Sequence, residues 1–240
     1  MQVYSFFDKS DKWMVVLFMV TIIATALLYP LLPGQMVIHM NGDGDLGNYV
    51  PKVAAAWLIL GMLLFELVLL NGVKKLMIHN ALQTTYDYEV PSDENIEKAK
   101  KVKKYMITLK ASIGGMLLFI HFFFLFVNME LLPAAIMDVL IQVLIGALFI
   151  TLGIAGWKCN IPVNMPGWGN EQPDEVNLTV NRFTMIAFVI GGSLSPVNVL
   201  MNEPYTTIWM ISMLGVLPII GIIAGVIQGN KQWKKIEGDP

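Results

Sequence analysis

Six long stretches of this chain carry almost no charge, which leaves few folds open to it. They run from Trp13 to Leu32, Val53 to Val73, about Tyr105 to Asn128, Pro133 to Gly156, about Phe183 to Leu200, and Ile208 to Gln228. Each is close to the roughly 20 apolar residues that cross a bilayer's hydrocarbon as a helix. In lipid every backbone amide must be satisfied within its own segment, so runs of this kind form helices. Composition agrees: 55% of the 240 residues are hydrophobic and 14% are charged, against about 25% charged in a soluble domain. The expected fold is an all-α membrane protein with six transmembrane helices.

The first apolar run reads as a permanent anchor. Tyr29, Pro30 and Pro33 do not make the small-residue cleavage site of a signal peptide. Orientation follows from lysine and arginine, which accumulate on the cytoplasmic side. Of the 16 basic residues, all but Lys52 and Lys110 fall in the N-terminal segment, the second-to-third connection, the fourth-to-fifth connection or the C-terminal tail. Both termini are therefore expected in the cytoplasm. A net charge of −2 provides no general attraction for nucleic acid, so no nucleic-acid partner is expected. One cysteine, Cys159, leaves no intrachain disulfide.

These boundaries give a single polytopic domain over residues 1–240. A helix pair, 13–73, carries an outer loop, 33–52; a basic cytoplasmic connection spans 74–104; a four-helix remainder, 105–240, holds a cytoplasmic loop at 157–182. In the basic connection Ser92 is the candidate N-cap of a helix whose first turn holds Asp93 and Glu94. Glu94 with Lys98 and Glu97 with Lys101 are spaced for i,i+4 ion pairs. That helix should run on into the third span, bringing Lys98, Lys100, Lys101, Lys103 and Lys104 to the membrane lipids.

The outer loop is rich in turn residues, with Asn41, Gly42, Asp43, Gly44, Asp45, Gly47 and Asn48 close together. Met36 to Met40 is a short apolar run around His39, and Tyr49, Pro51 and Lys52 suit the headgroup zone. His39, Asp43 and Asp45 fall short of a closed zinc site, and no terminal Glu completes an EF-hand loop. No metal and no cofactor is expected.

The pattern Leu32-Pro33, Ile38-His39, Asn41, Gly44, Gly47 and Lys52, set between two spans, resembles the uncharacterised N-terminal domain of SdpI-like membrane proteins. A second stretch is similar to a late-loop segment of the same family: Asn164, Pro166 and Trp168, then Asp174-Glu175 and Asn181-Arg182-Phe183. Asn164 stands where that family has Arg, and Asn177 where it often has Trp. The resemblance implies a bacterial cell-membrane protein that gives immunity to, or senses, a toxic peptide. It implies that His39, Asn41, Gly44 and Lys52 act outside, and that Asn164, Pro166, Trp168 and Arg182 act inside, where a cytoplasmic regulator would bind.

Polar residues within spans are costly in lipid and are usually paired or functional. Glu66 and Lys110 lie at depths that differ by about 3 Å, which makes them candidates for an inner ion pair. His121 and Asp138 match in depth near the outer side, with Gln142 one turn beyond Asp138. These residues either hold helices together or form a proton- or ligand-linked site.

In the sixth span Gly221, Gly225 and Gly229 let another helix approach closely, either within the protein or in a homodimer. Pro218 should kink that span, and Gly191, Gly192 and Pro196 should bend the fifth. No His-Glu-x-x-His and no phosphate-binding glycine loop occurs. Gly191-Gly192-Ser193 has no histidine after it to act as base. The chain is therefore not expected to be an enzyme. The rivals to the immunity reading are a small transporter or proton-coupled carrier, and an accessory subunit of a larger membrane complex.

Overall fold

The computed structural model describes residues 11–37, 49–82, 92–133, 136–160, 174–201 and 205–237. In chain order these form α1 (Asp11–Leu28), a 3-10 turn (Tyr29–Leu31), β1 (Gln35–Val37), β2 (Tyr49–Pro51), α2 (Lys52–Leu82), α3 (Asp93–Asn128), α4 (Ile136–Cys159) and α5 (Asp174–Leu194). A second 3-10 segment (Ser195–Leu200), α6 (Tyr205–Met210), a π-helical segment (Ile211–Val216) and α7 (Leu217–Glu237) complete it. Six helical segments are long and apolar enough to span a membrane: Asp11–Leu31, Lys52–Leu82, Asp93–Asn128, Val139–Cys159, Asn177–Leu200 and Ile208–Gln232. The protein is an all-α, multipass membrane protein.

Two helices outrun their apolar stretches. The second continues through Lys74 and Lys75 to Leu82, because leaving hydrocarbon does not end a helix where no glycine or proline intervenes. The third starts at Asp93, where the Ser92 hydroxyl accepts the Asn95 N–H at 3.2 Å. Its surface pairs form as spaced, Lys98–Glu94 at 3.1 Å and Lys101–Glu97 at 2.8 Å. Lys101 holds the Glu97 carboxyl below its usual range. At its far end α3 closes in a Schellman-type turn. Leu131 N–H bonds to Phe126 O at 2.9 Å, Glu130 N–H bonds to Val127 O at 3.0 Å, and Glu130 takes a left-handed φ of 59°.

The chain divides into two compact units. The first holds residues 1–79 and 109–141: α1, the strand pair, most of α2, the second half of α3 and the start of α4. Its strands are antiparallel, with Met36 opposite Val50. Such a short ribbon is not stable alone. Here its Met36 side chain is buried with Leu32, Ala55, Ala56, Phe124 and Leu125. Asn128, the last residue of α3, binds the edge of β1 with both ends of its amide. Its Oδ1 accepts the Val37 N–H at 2.8 Å and its Nδ2 donates to Val37 O at 3.2 Å.

The second unit holds residues 80–108 and 142–240. Small residues set its packing. A methyl group on Gly146 would lie 2.6 Å from Gly192 O, and one on Gly153 would lie 2.7 Å from Met185 O, so α4 lies directly on α5. On α7, methyl groups at Gly221 and Gly225 would lie 2.7 Å from Ala187 Cβ and 2.6 Å from Val180 Cα. The face carrying Gly221 and Gly225 is thus occupied by α5 within the unit.

Prolines shape the same helices. Pro196 has no N–H for the carbonyl four residues earlier. The Ser195 hydroxyl donates to that Gly192 oxygen at 3.1 Å, and the Trp209 indole donates to Leu194 O at 3.0 Å. Before Pro218 the sixth span loosens into the π-helical segment, and Leu217 N–H reaches back to Ser212 O.

Gly225→Leu should lower the stability of purified protein in micelles by about 1–3 kcal/mol through overpacking. Gly72 has nothing within 4 Å of the position a Cβ would take, so Gly72→Ala should leave stability unchanged or raise it by up to about 1 kcal/mol. Thermal or denaturant unfolding of the two variants checks the contrast.

Candidate functional site

Polar side chains gather at both ends of the first unit. At one end, the start of α1 brings Asp11 against α2 and α3. Lys74 Nζ donates to Asp11 Oδ2 at 3.0 Å, and Lys110 Nζ donates to Asp11 Oδ1. Lys110 also donates to Asn71 Oδ1 at 2.8 Å. Asp11, Lys74 and Lys110 are 1%, 2% and 2% exposed. A buried charge survives only when paired and hydrogen-bonded, and here one carboxylate serves two ammonium groups.

Glu66 lies on α2 about 7 Å along the axis from Asn71, at 7% exposure. Both its carboxyl oxygens are buried, with no hydrogen-bond partner among the described residues. It sits against the bare backbone of Gly114. A methyl group there would lie 3.3 Å from Glu66 Oε2 and 2.7 Å from Met14 Cε, so α1, α2 and α3 meet at this glycine. Counting Glu66 as a carboxylate, the described members of the cluster sum to zero charge: Asp11 and Glu66 against Lys74 and Lys110.

At the other end the buried polar contact is between uncharged groups. His121 on α3 is fully buried, and its Nε2 lies 2.7 Å from Thr25 Oγ1 on α1. The Thr25 hydroxyl donates to Thr21 O at 2.8 Å. Its one proton being spent, it accepts from His121, which assigns the hydrogen to Nε2. His121 Nδ1 is then an acceptor, buried with no hydrogen-bond partner among the described residues. The strand pair closes this end of the unit. Lys52 Nζ lies 4.7 Å over the Tyr29 ring, and its N–H bonds to Gly34 O at 3.1 Å.

The residues singled out from sequence meet mixed ends. Glu66 and Lys110 do fall in one region, but Lys110 bonds to Asp11 and Asn71 rather than to Glu66. Asp11 reaches it because α1 starts beside α2 and α3, a relation that helix depth does not encode. His121 binds Thr25, and Asp138 lies in α4 with its side chain outside the described residues. Gln142 is half-buried, its Oε1 without a partner among the described residues. Arg182 is exposed on α5. His39, Asn41, Gly44, Asn164, Pro166 and Trp168 lie outside the described residues.

Asp11, Asn71, Lys74, Thr25 and Asn128 were not legible as site residues. Asn71 did carry a signal, as an amide inside the second apolar run. Asp11 and Lys74 look like ordinary flanking charges until the helices are packed.

Residues 16–64 match a family described as a domain of unknown function (DUF1648). The match runs from α1 through the strand pair into α2 and stops just before Glu66, leaving Asp11, Asn71, Lys74 and Lys110 outside it. No curated protein and no solved structure matches the chain.

Asp11→Asn should cost about 3–5 kcal/mol, the usual penalty for stranding buried charge. Replacing Lys110 by Met in the same background should recover part of that loss. Denaturant unfolding of the single and double variants measures both steps.

Proposed function

We propose that this chain is a bacterial cytoplasmic-membrane protein of the SdpI-like type, giving immunity to or sensing a toxic peptide at the membrane surface. The observation that carries this reading is the anchored strand pair. In sequence, residues 38–48, with His39, Asn41 and Gly44, follow a strand bonded to α3 by Asn128 and precede one whose next residue, Lys52, lies over Tyr29 of the 3-10 turn. A recognition segment held at both ends loses less entropy on binding than one that hangs loose. The family match at residues 16–64 spans this same stretch and supports the reading.

The lysine and arginine distribution supports an arrangement with the strand pair outside and both termini in the cytoplasm. The peptide would then meet the strand-pair end of the first unit. A cytoplasmic regulator would meet residues near Arg182. The role is one of binding rather than of catalysis.

A second reading, a small proton-coupled carrier, is favoured by Glu66. A buried carboxyl without a hydrogen-bond partner among the described residues, within reach of the Lys110 charge, is the kind of group that relays protons in membrane carriers.

Expression of the full chain in a sensitive bacterium should raise survival against at least one member of a panel of membrane-active toxic peptides. His39→Ala, at equal protein level in the membrane, should abolish that protection. Equal killing with and without the chain across the panel rejects the immunity reading. Proton flux into liposomes containing the purified protein, lost in Glu66→Gln, would establish the carrier instead.

A further inference from the structure

The second unit has an apolar groove on the membrane-facing side of α4 and α5. It encloses about 300 Å³ and is lined by Gly153, Ile154, Trp157 and Lys158 of α4 and by Ile186 and Ile190 of α5, among others. Its origin is the close α4–α5 contact. Gly153 lies flush on Met185 O and Val189, so the side chains on either side of it stand up as two ridges with a trough between. Ile154 is 44% exposed, Trp157 48% and Ile190 44%. On spanning helices such surface meets lipid, not water.

One end of the trough differs in chemistry from the rest. Lys158 stands in the last turn of α4 beside Trp157, and Asn160 ends the helix in a left-handed conformation with φ 48°. Lys158 is exposed, and no carboxylate pairs with it among the described residues. The neighbouring indole suits the headgroup level, where Trp gathers in membrane proteins. The trough is apolar throughout and takes only the Lys158 stem, with exposed Arg182 one turn before Ile186 at the same end; an apolar groove that ends among cations suits a long apolar chain with an anionic head.

We propose that this groove is a binding site for an anionic glycerophospholipid. One acyl chain lies along the trough between Ile154 and Ile190, and the phosphate end meets Lys158 Nζ with Trp157 beside it. A single favourable contact between a lysine and an anionic headgroup corresponds to about a fivefold preference over a zwitterionic lipid. Basic positions between spanning helices are known as places where anionic headgroups settle. The site is independent of the peptide-sensing reading, since it lies in the second unit and uses none of the strand-pair residues.

The test uses the purified full chain in zwitterionic micelles, titrated with phosphatidylglycerol or phosphatidylcholine of identical acyl chains. Retained lipid is counted by native mass spectrometry. Phosphatidylglycerol should be retained about fivefold more tightly. Lys158→Gln should erase that preference and leave phosphatidylcholine retention as it was. Ile190→Trp, which fills the trough from its exposed side, should lower retention of both lipids. A preference that persists in Lys158→Gln overturns the proposal, because it then arises at another basic residue, Arg182 or the lysines of α3 or α7. Ile190→Trp that changes the oligomeric state and not lipid retention also overturns it, assigning the groove to a second copy of the chain.

Discussion

Inside a bilayer there is no water to bond with a stray polar group, and each such group must find its partner in the protein. That constraint accounts for the details that differ most from a plain helical bundle. Asp11 sits at the start of α1 and holds a lysine from α2 and a lysine from α3. Asn128 spends its amide on the edge of β1. Ser195 and Trp209 take up carbonyl oxygens where Pro196 ends the regular helix. Without these partners the same apolar surfaces would still favour lipid, but the helices would not be set in one arrangement.

Apolar burial does not hold spanning helices to one another, since lipid tails are as apolar as leucine. Close contact does, and the two units achieve it differently. The second relies on glycines, with α4 and α7 both pressed on α5 where side chains are missing. The first uses Gly114 as the meeting point of three helices and adds an ionic cluster. A cluster of buried charges adds little net stability when complete, yet removing one member is costly because it strands the others.

The two ends of the first unit suggest a division of labour. The ionic end fixes how α1, α2 and α3 sit together. The other end, with His121 on Thr25 and Lys52 over Tyr29, carries the strand pair. A buried histidine that donates to a threonine hydroxyl and has no carboxylate partner among the described residues acts as a strut between α1 and α3.

The six spans, their approximate limits, the Ser92 cap and the two ion pairs after it were all legible in the residues, because each depends on neighbours within a few turns. Pro196 and Pro218 announced the breaks in the last two spans, since a missing N–H is a local fact. Partners were another matter. Depth along a helix brought Glu66 and Lys110 to one level, yet helix rotation and the approach of α1 gave Lys110 to Asp11 and Asn71. The sequence by itself determined that this chain lives in lipid and where it crosses, because hydrophobic transfer acts residue by residue. The tertiary structure alone decided which polar groups face one another, because pairing in lipid depends on the rotation and contact of separate helices.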